Sequence, residues 1–340
     1  MRAIVYSEAG GSEVLRLVER PEPEPGPGEV RVRIHVSGVN PTDWKARRRG
    51  PAWQSPEARE VVPNQDGAGV VDAVGEGVDP GRIGERVWVW EAAWQRAHGT
   101  AQELVCLPSR QAVRLPDEAS FELGASLGIP ALTAHRCLTV HEGGPSALTP
   151  GALAGTTVLV AGGAGAVGHA AIQLARWAGA HVLATVSSDE KARLARAAGA
   201  EHVVRYRSED AAQQVLARAP GGVNVVVEVA PAANAALDAA VVAPCATVAV
   251  YAVDGGAELP ISWSLMQRNV AYRFVLVYTV PAEAKDRAVA DVSAAVADGA
   301  LAVGEEAGLP LHRYPLERTG DAHDAVEAGA VGKVVIDLTR

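Results

Sequence analysis

The chain has 340 residues, a formal net charge of -9 and a hydrophobic share of 48%. That length exceeds one typical core and suits two domains, and the acidic balance opposes a nucleic-acid surface, which needs a basic face. Its three cysteines, Cys106, Cys137 and Cys245, are far apart with no Cys-x-x-Cys pair, so they read as reduced, buried small hydrophobes, not as a disulfide frame or a structural zinc lobe.

Met1 to Tyr6 opens directly with strand-like alternation instead of a cationic segment followed by an apolar core, and no uncharged apolar stretch reaches the roughly 18 residues of a membrane helix. The expectation is a soluble, cytoplasmic protein with no membrane or nucleic-acid partner. Up to about Ser120 the text is strand-rich: Glu29 to Val36 alternates, Gly69 to Val74 is apolar, and Arg86 to Trp90 alternates again, while Pro21, Pro23, Pro25 and Pro27 mark a connecting turn. Arg47, Arg48 and Arg49 read as a solvated loop, and Trp88 and Trp90, on one strand face, as core. From Phe121 Ala-rich helices alternate with short apolar strands at 157–161, 181–185, 202–204, 223–227, 247–251 and 272–278, the pattern of a doubly wound parallel sheet. A helix over 282–298 follows, and the final strand, 334–338, has no helix after it and returns to the β-rich part. The expected division is 1–125 with 280–340 as the β-rich domain and 126–279 as the α/β domain.

The most telling stretch is Val158 to Gly168, an apolar strand that runs through Gly163, Gly165 and Gly168 into a helix. In that context the Gly-x-Gly-x-x-Gly spacing has a mechanical meaning: a tight turn at the first glycine, close backbone approach to a pyrophosphate at the second, and helix-on-strand packing at the third. The helix N-terminus then offers unpaired N–H groups to phosphate. Taken alone, the run also fits a glycine turn in an ordinary βα unit; the strand-to-helix setting favours the cradle. After the next strand, the acid that would take the ribose hydroxyls of NAD is missing. Ser187, Ser188 and Lys191 stand there, two hydroxyls and a cation suited to a 2'-phosphate, which favours NADPH over NADH. The plainer reading makes the serines helix caps and Lys191 a solvated residue, with Asp189 and Glu190 partly cancelling its charge.

Several further segments occur in a telling order: Gly38-Val39-Asn40-Pro41-Thr42-Asp43, Asp66 to Val71 with Val74-Gly75, Gly128 to Ala134, the glycine turn with Gln173-Leu174-Ala175, and Gly332-Lys333-Val334-Val335. With these the chain resembles, over nearly its whole length, the zinc-independent quinone oxidoreductases (the zeta-crystallin group) of the medium-chain dehydrogenase/reductase superfamily. The resemblance implies a GroES-like β-rich catalytic domain, a Rossmann domain, a cleft between them, and a homodimer whose Rossmann sheets join edge to edge. It places Gly163, Ala164, Gly165, Ala166, Val167 and Gly168 at the pyrophosphate, and Ser187, Ser188, Lys191 and Tyr206 around the 2'-phosphate and adenine. Asn234, the turn Tyr251, Ala252, Val253 and Asp254, and the last Rossmann strand, Val275, Leu276 and Val277, line the adenosine and nicotinamide side; Asn40 and Lys333 face the cofactor from the catalytic domain. Without the resemblance, Tyr206 reads as a surface aromatic and Asn234 as a helix cap. The zinc-ligand places of the superfamily's zinc alcohol dehydrogenases correspond to Asn40 and Gln65, neither a competent ligand, and no Cys lies near the third place, so no metal is expected.

The resemblance implies a zinc-free, NADPH-dependent hydride transfer to a quinone or similar conjugated carbonyl, with a 2-enoyl or alkenal double-bond reductase as the alternative and an NADPH-binding protein with little turnover as a rival of another class. Positioning supplies most of the rate, and Asn40 is a candidate donor to the developing oxyanion, beside backbone N–H groups or ordered water. The chain departs from the group's pattern where a Tyr is usual: Gly50-Pro51-Ala52-Trp53 occupies that region. Trp53 either covers the nicotinamide face or packs under the β domain. His98, His135 and His141 show no paired partner and read as structural.

Overall fold

The structure, a computed structural model, describes residues 1–207, 210–253 and 258–339. Two compact units divide the chain: Met1–Ile129 with Leu311–Arg340, and Pro130–Pro310.

In the first unit β1 (Arg2–Val5) and β2 (Arg16–Glu19) pair antiparallel. The long β3 (Glu29–Val39) buries Val30, Val32, Ile34 and Val36 in alternation, as a strand with one face on a core should. The chain then passes through α1 (Pro41–Arg49) and α2 (Pro51–Gln54) to β4 (Asp66–Val74), β5 (Arg86–Val89), β6 (Leu104–Pro108) and β7 (Ala112–Arg114), and through the one-turn α3 (Phe121–Gly124) to α4 (Gly128–Leu138). Trp88 and Trp90 are core residues, as their shared strand face suggested. The arginine cluster is not a solvated loop: it lies on α1, where Arg47 is fully buried against Glu327 at 3.1 Å. Cys137 is buried, but Cys106 is only partly buried and Cys245 is exposed, against the expectation of burial for all three cysteines.

The second unit is the expected doubly wound sheet. β8 (Thr157–Ala161), β9 (His181–Val186), β10 (His202–Arg205), β11 (Val223–Glu228), β12 (Val242–Val250) and β13 (Ala271–Phe274) are all parallel, in the order β10-β9-β8-β11-β12-β13. The crossovers use α5 (Ala166–Trp177), α6 (Asp189–Ala197), α7 (Ala211–Arg218), α8 (Pro231–Val241) and α9 (Trp263–Gln267). The expected strand 272–278 ends early. The Val275 N–H makes a last sheet bond to Val250 O, after which β12 offers no further partner and Val277–Thr279 turns as a 3-10 helix.

The domain boundary also differs from the sequence reading, because residues 280–310 belong to the second unit. α10 (Ala282–Ala297) buries Ala284, Ala288, Val292 and Ala295, and Asp291 pairs with His135 at 2.7 Å. Beyond α10, Ala302 N–H bonds Gln173 and Ala307 O bonds His169, both on α5. The first unit closes with β14 (Leu311–Pro315), α11 (Thr319–Glu327) and β15 (Lys333–Asp337), which return as expected: β15 pairs antiparallel with β3, completing the order β14-β15-β3-β4-β5-β7.

Candidate functional site

In the second unit the sheet order reverses between β8 and β11, and in such sheets ligands bind outside the carboxyl ends at that switch point. The strand registers bring most of the cofactor candidates to this edge. Ala161 lies opposite Thr185, so Gly162 follows level with Val186; Arg205 lies opposite Val186, so Tyr206 follows beside Ser187. Tyr251 N–H bonds Glu228 O, which sets the β12 turn beside the end of β11.

The glycine turn divides its work differently from the sequence reading. Gly162, not Gly163, takes the left-handed conformation of the turn, at φ 71°. A Cβ on Gly163 would sit 2.8 Å from Ala184 Cβ, and one on Gly168 2.4 Å from Gly162 O, so both are glycine for packing. Gly165 differs. It is exposed with an ordinary φ of -83°, and its Cβ would meet only Gly162 O, at 3.5 Å, so the protein itself leaves that space open. Gly165 is the N-cap of α5, whose first i→i-4 bond runs from His169 N–H to Gly165 O at 2.7 Å. The N–H groups of Ala166, Val167 and Gly168 precede that bond, and a helix N-terminus directs such groups at an anion. A pyrophosphate fits the room at Gly165.

At the end of β9, Ser188 caps α6, its Oγ accepting from Lys191 N–H at 3.3 Å. The cap uses a lone pair of that oxygen and leaves its O–H able to donate. Of the two acids before Lys191, Asp189 pairs with Arg205 at 2.6 Å. Tyr206 is about half exposed. Asn234 is neither open nor a cap: its Nδ2 donates to both oxygens of the fully buried Glu228, at 2.9 and 3.1 Å. Beside that pair, burial and the Glu228 charge push the Asp238 carboxyl up to about 8. Val275 and Val277 are buried, Leu276 and Val253 exposed, and Asp254 lies outside the described residues.

The first unit holds a buried polar cluster. Val334 pairs with Val39 and Gly38 with Asp66, so β15 and β4 deliver Lys333 and Asp66 to the end of β3, where Asn40 caps α1. Lys333 Nζ donates to Asn40 Oδ1 at 2.7 Å, and Asn40 Nδ2 donates to Asp66 Oδ2 at 2.7 Å. Ile129 N–H reaches both Asp66 oxygens, at 2.9 and 3.0 Å, and Asn40 N–H donates to Asp43 Oδ2 at 2.7 Å. Burial pushes Asp66 up to about 6 against the pull of Lys333, and burial with the Asp66 charge pushes Asp43 up to about 8. Burial in turn pushes the Lys333 ammonium down, against the pull of the Asp66 and Asp43 charges. From Asp66 the network continues through Thr100, Ser37 and Asn64 to the buried His323. Sequence reasoning assigned no role to Asp43, Asp66, His323 or Glu228; an acid set in or beside an apolar run was the available signal for Asp66 and Glu228.

Trp53 is 57% exposed on α2, with the Arg49 guanidinium 4.0 Å above its ring, so it does not pack under the β domain. His135 and His141 do have partners, Asp291 and Thr247.

Residues 26–117 match the family described as the alcohol dehydrogenase GroES-like domain, and residues 166–294 the family described as zinc-binding dehydrogenase. A quinone oxidoreductase of Lama guanicoe is 31% identical over 99% of this chain and 98% of its own. A mycobacterial protein solved in complex with NADPH is 30% identical with a TM-score of 0.80, covering 99% of both chains. A solved NAD-dependent alcohol dehydrogenase is 28% identical with a TM-score of 0.84, over 99% of this chain and 100% of its own. The zinc in one family description does not suit the residues present. Asn40 is held between an ammonium and a carboxylate, a setting that repels a metal ion from its oxygen, and Gln65 Oε1 already accepts Ala93 N–H at 3.1 Å. Among the described residues no group of three His, Cys, Asp or Glu could hold a metal ion.

Proposed function

The chain belongs to the zinc-independent quinone oxidoreductases of the medium-chain dehydrogenase/reductase superfamily, and from that premise we propose that it is an NADPH-dependent reductase of quinones or similar conjugated carbonyls. The observation that carries this reading is the cradle at Gly165, with Ser187, Ser188 and Lys191 in place of an acid at the ribose. When bound, the dihydronicotinamide supplies the hydride. The chain's own residues bind and orient. The first-turn N–H groups of α5 hold the pyrophosphate, and the Ser188 O–H and Lys191 ammonium hold the 2'-phosphate while Arg205 neutralises Asp189. Asn40, which the resemblance sets facing the cofactor, is the candidate that donates an amide N–H to the acceptor oxygen on which charge develops. Exposed Trp53 offers a flat aromatic face to a planar acceptor.

A homodimer is supported by the edge strand β13. Phe274 is 74% exposed, Ile261 and Met266 line the same hollow, and Trp263 on α9 is also exposed. Cysteines without a disulfide among the described residues support a reducing compartment, the cytoplasm, and no described helix is long and apolar enough to cross a membrane.

The test is NADPH oxidation with a quinone and an α,β-unsaturated ketone in parallel, with NADH as control and a chelator added. Turnover with NADPH, weak with NADH and unchanged by chelator, is expected, and the faster acceptor names the subclass. Tight NADPH binding with no turnover on either acceptor would replace this reading with a binding protein.

A further inference from the structure

Four segments distant in sequence converge on one side-chain amide. Asn40 comes from the end of β3, Asp66 from the start of β4, Lys333 from the start of β15 and Ile129 from α4, and Asn40, Asp66 and Lys333 are almost fully buried. The fold makes room for this: at Gly38 a Cβ would stand 2.1 Å from Ala125 O and 3.2 Å from Lys333 Cε, so the bare backbone lets the lysine stem pass. An asparagine amide has two orientations of nearly the same shape. Here one sets oxygen to the Lys333 amine and nitrogen to the Asp66 carboxyl, and the flipped one sets N–H groups against Lys333 and oxygen against Asp66, two repulsive contacts in a buried site.

We propose that Lys333 and Asp66 are positioning residues that lock the Asn40 carboxamide in one orientation and polarise it, so that its second N–H serves as the donor to the acceptor oxygen. The inference rests on the reading of Asn40 as that donor. Lys333 draws electron density toward Oδ1, which makes Nδ2 a stronger donor, while Asp66 holds the first Nδ2 proton and so fixes which way the amide faces. Stability alone does not account for the arrangement, because well-packed apolar residues commonly replace a buried ion pair at no loss.

The experiment compares Asn40→Ala, Lys333→Met, Asp66→Asn and the double variant Asn40→Ala/Lys333→Met in the full-length protein. Steady-state NADPH oxidation with a quinone is read together with NADPH binding by fluorescence titration. The expected result is a loss of about tenfold or more in kcat for Lys333→Met and Asp66→Asn, with NADPH affinity changed less than about threefold. The double variant should be no slower than Asn40→Ala, since a residue acting through Asn40 has nothing left to act on. In protein labelled with 15N-asparagine, the side-chain amide signal lost in Asn40→Ala should shift in Asp66→Asn, which keeps the shape of the site and serves if Lys333→Met does not fold. Full kcat in Asn40→Ala overturns the reading of Asn40 itself. A slow Asn40→Ala that Lys333→Met slows again by its full factor, or an unshifted amide signal in Asp66→Asn, overturns the positioning role alone.

Discussion

At the residue scale, the glycines of the phosphate turn separate binding from folding. Gly165→Ala places a methyl group where the protein has room, so its stability cost should stay near the about 1 kcal/mol of a poorer N-cap, while NADPH affinity falls tenfold or more. Gly168→Ala drives a methyl group into Gly162 O and should cost about 1–3 kcal/mol as α5 shifts. Urea unfolding and NADPH titration of the two variants should rank them in opposite ways; equal losses in both assays would deny that Gly165 is kept bare for a ligand.

His323 makes a second prediction at this scale. Burial, with the Arg47 cation close by, pushes its pKa down from 6.5 to about 3, and its Nε2–H donates to Asn64 Oδ1 at 3.0 Å. Between those values the unfolded chain binds one more proton than the fold, so this contribution is present above pH 6.5 and lost as pH falls through the window, at up to about 1.4 kcal/mol per pH unit. The raised Asp43 and Asp66 carboxyls run the other way, their contributions present at low pH and fading as pH rises toward about 8 and about 6. The two carboxyls mask the histidine in the overall profile, and a difference isolates His323. His323→Gln keeps the donor to Asn64 without a titrating ring, and wild type should lose more stability than the variant between pH 6.5 and 5. Parallel profiles would mean that the histidine is already charged in the fold.

At the scale of elements, what was legible followed from periodicity. The alternation of short apolar strands with Ala-rich helices named the six parallel strands and α10, and the lack of a helix after the last strand pointed to its return. What escaped depended on partners. Arg47 lies in a run of three arginines that reads as solvated, and only the packing of α1 on α11 supplies Glu327 and buries it. The strand expected through Tyr278 stops at Phe274 because β12 ends, which no local pattern in 272–278 records. Residues 280–310 join the second unit through bonds to α4 and α5, again information held elsewhere in the chain. The start of α6 was legible in both of its readings, and they are compatible: Ser188 caps the helix and can still offer its proton. Ser188→Ala should therefore cost about 1 kcal/mol of stability and also weaken NADPH, whereas Lys191→Ala should leave stability nearly unchanged and reduce the preference for NADPH over NADH several-fold. Unfolding curves and kcat/KM for both cofactors decide this; a preference unaltered by both changes would move 2'-phosphate recognition away from α6.

At the scale of the whole molecule, β13 presents a problem that a monomer leaves unsolved. It ends the parallel sheet with an open ladder of N–H and C=O groups, and proteins cover or blunt such edges because they template association. Here the exposed Phe274, Ile261 and Met266 line a hollow that also takes in Leu265 and Val270, and Trp263 at the start of α9 is exposed as well. No lysine lies in the strand, Ala271-Tyr272-Arg273-Phe274, and its one cation is Arg273. A second copy of the same edge related by a two-fold axis pairs the ladder with itself and buries both patches at once, the self-complementary solution that homodimers favour. Phe274→Glu would put a carboxylate from each copy into that contact. Sedimentation at a fixed micromolar concentration should then show a dimer for the wild type and a monomer for the variant, and the wild-type Tm alone should rise with concentration, since only an associating chain gains stability by mass action. A wild type that sediments as a monomer, with a Tm indifferent to concentration, would leave the β13 edge without its second copy and remove the dimer from the reading of this protein.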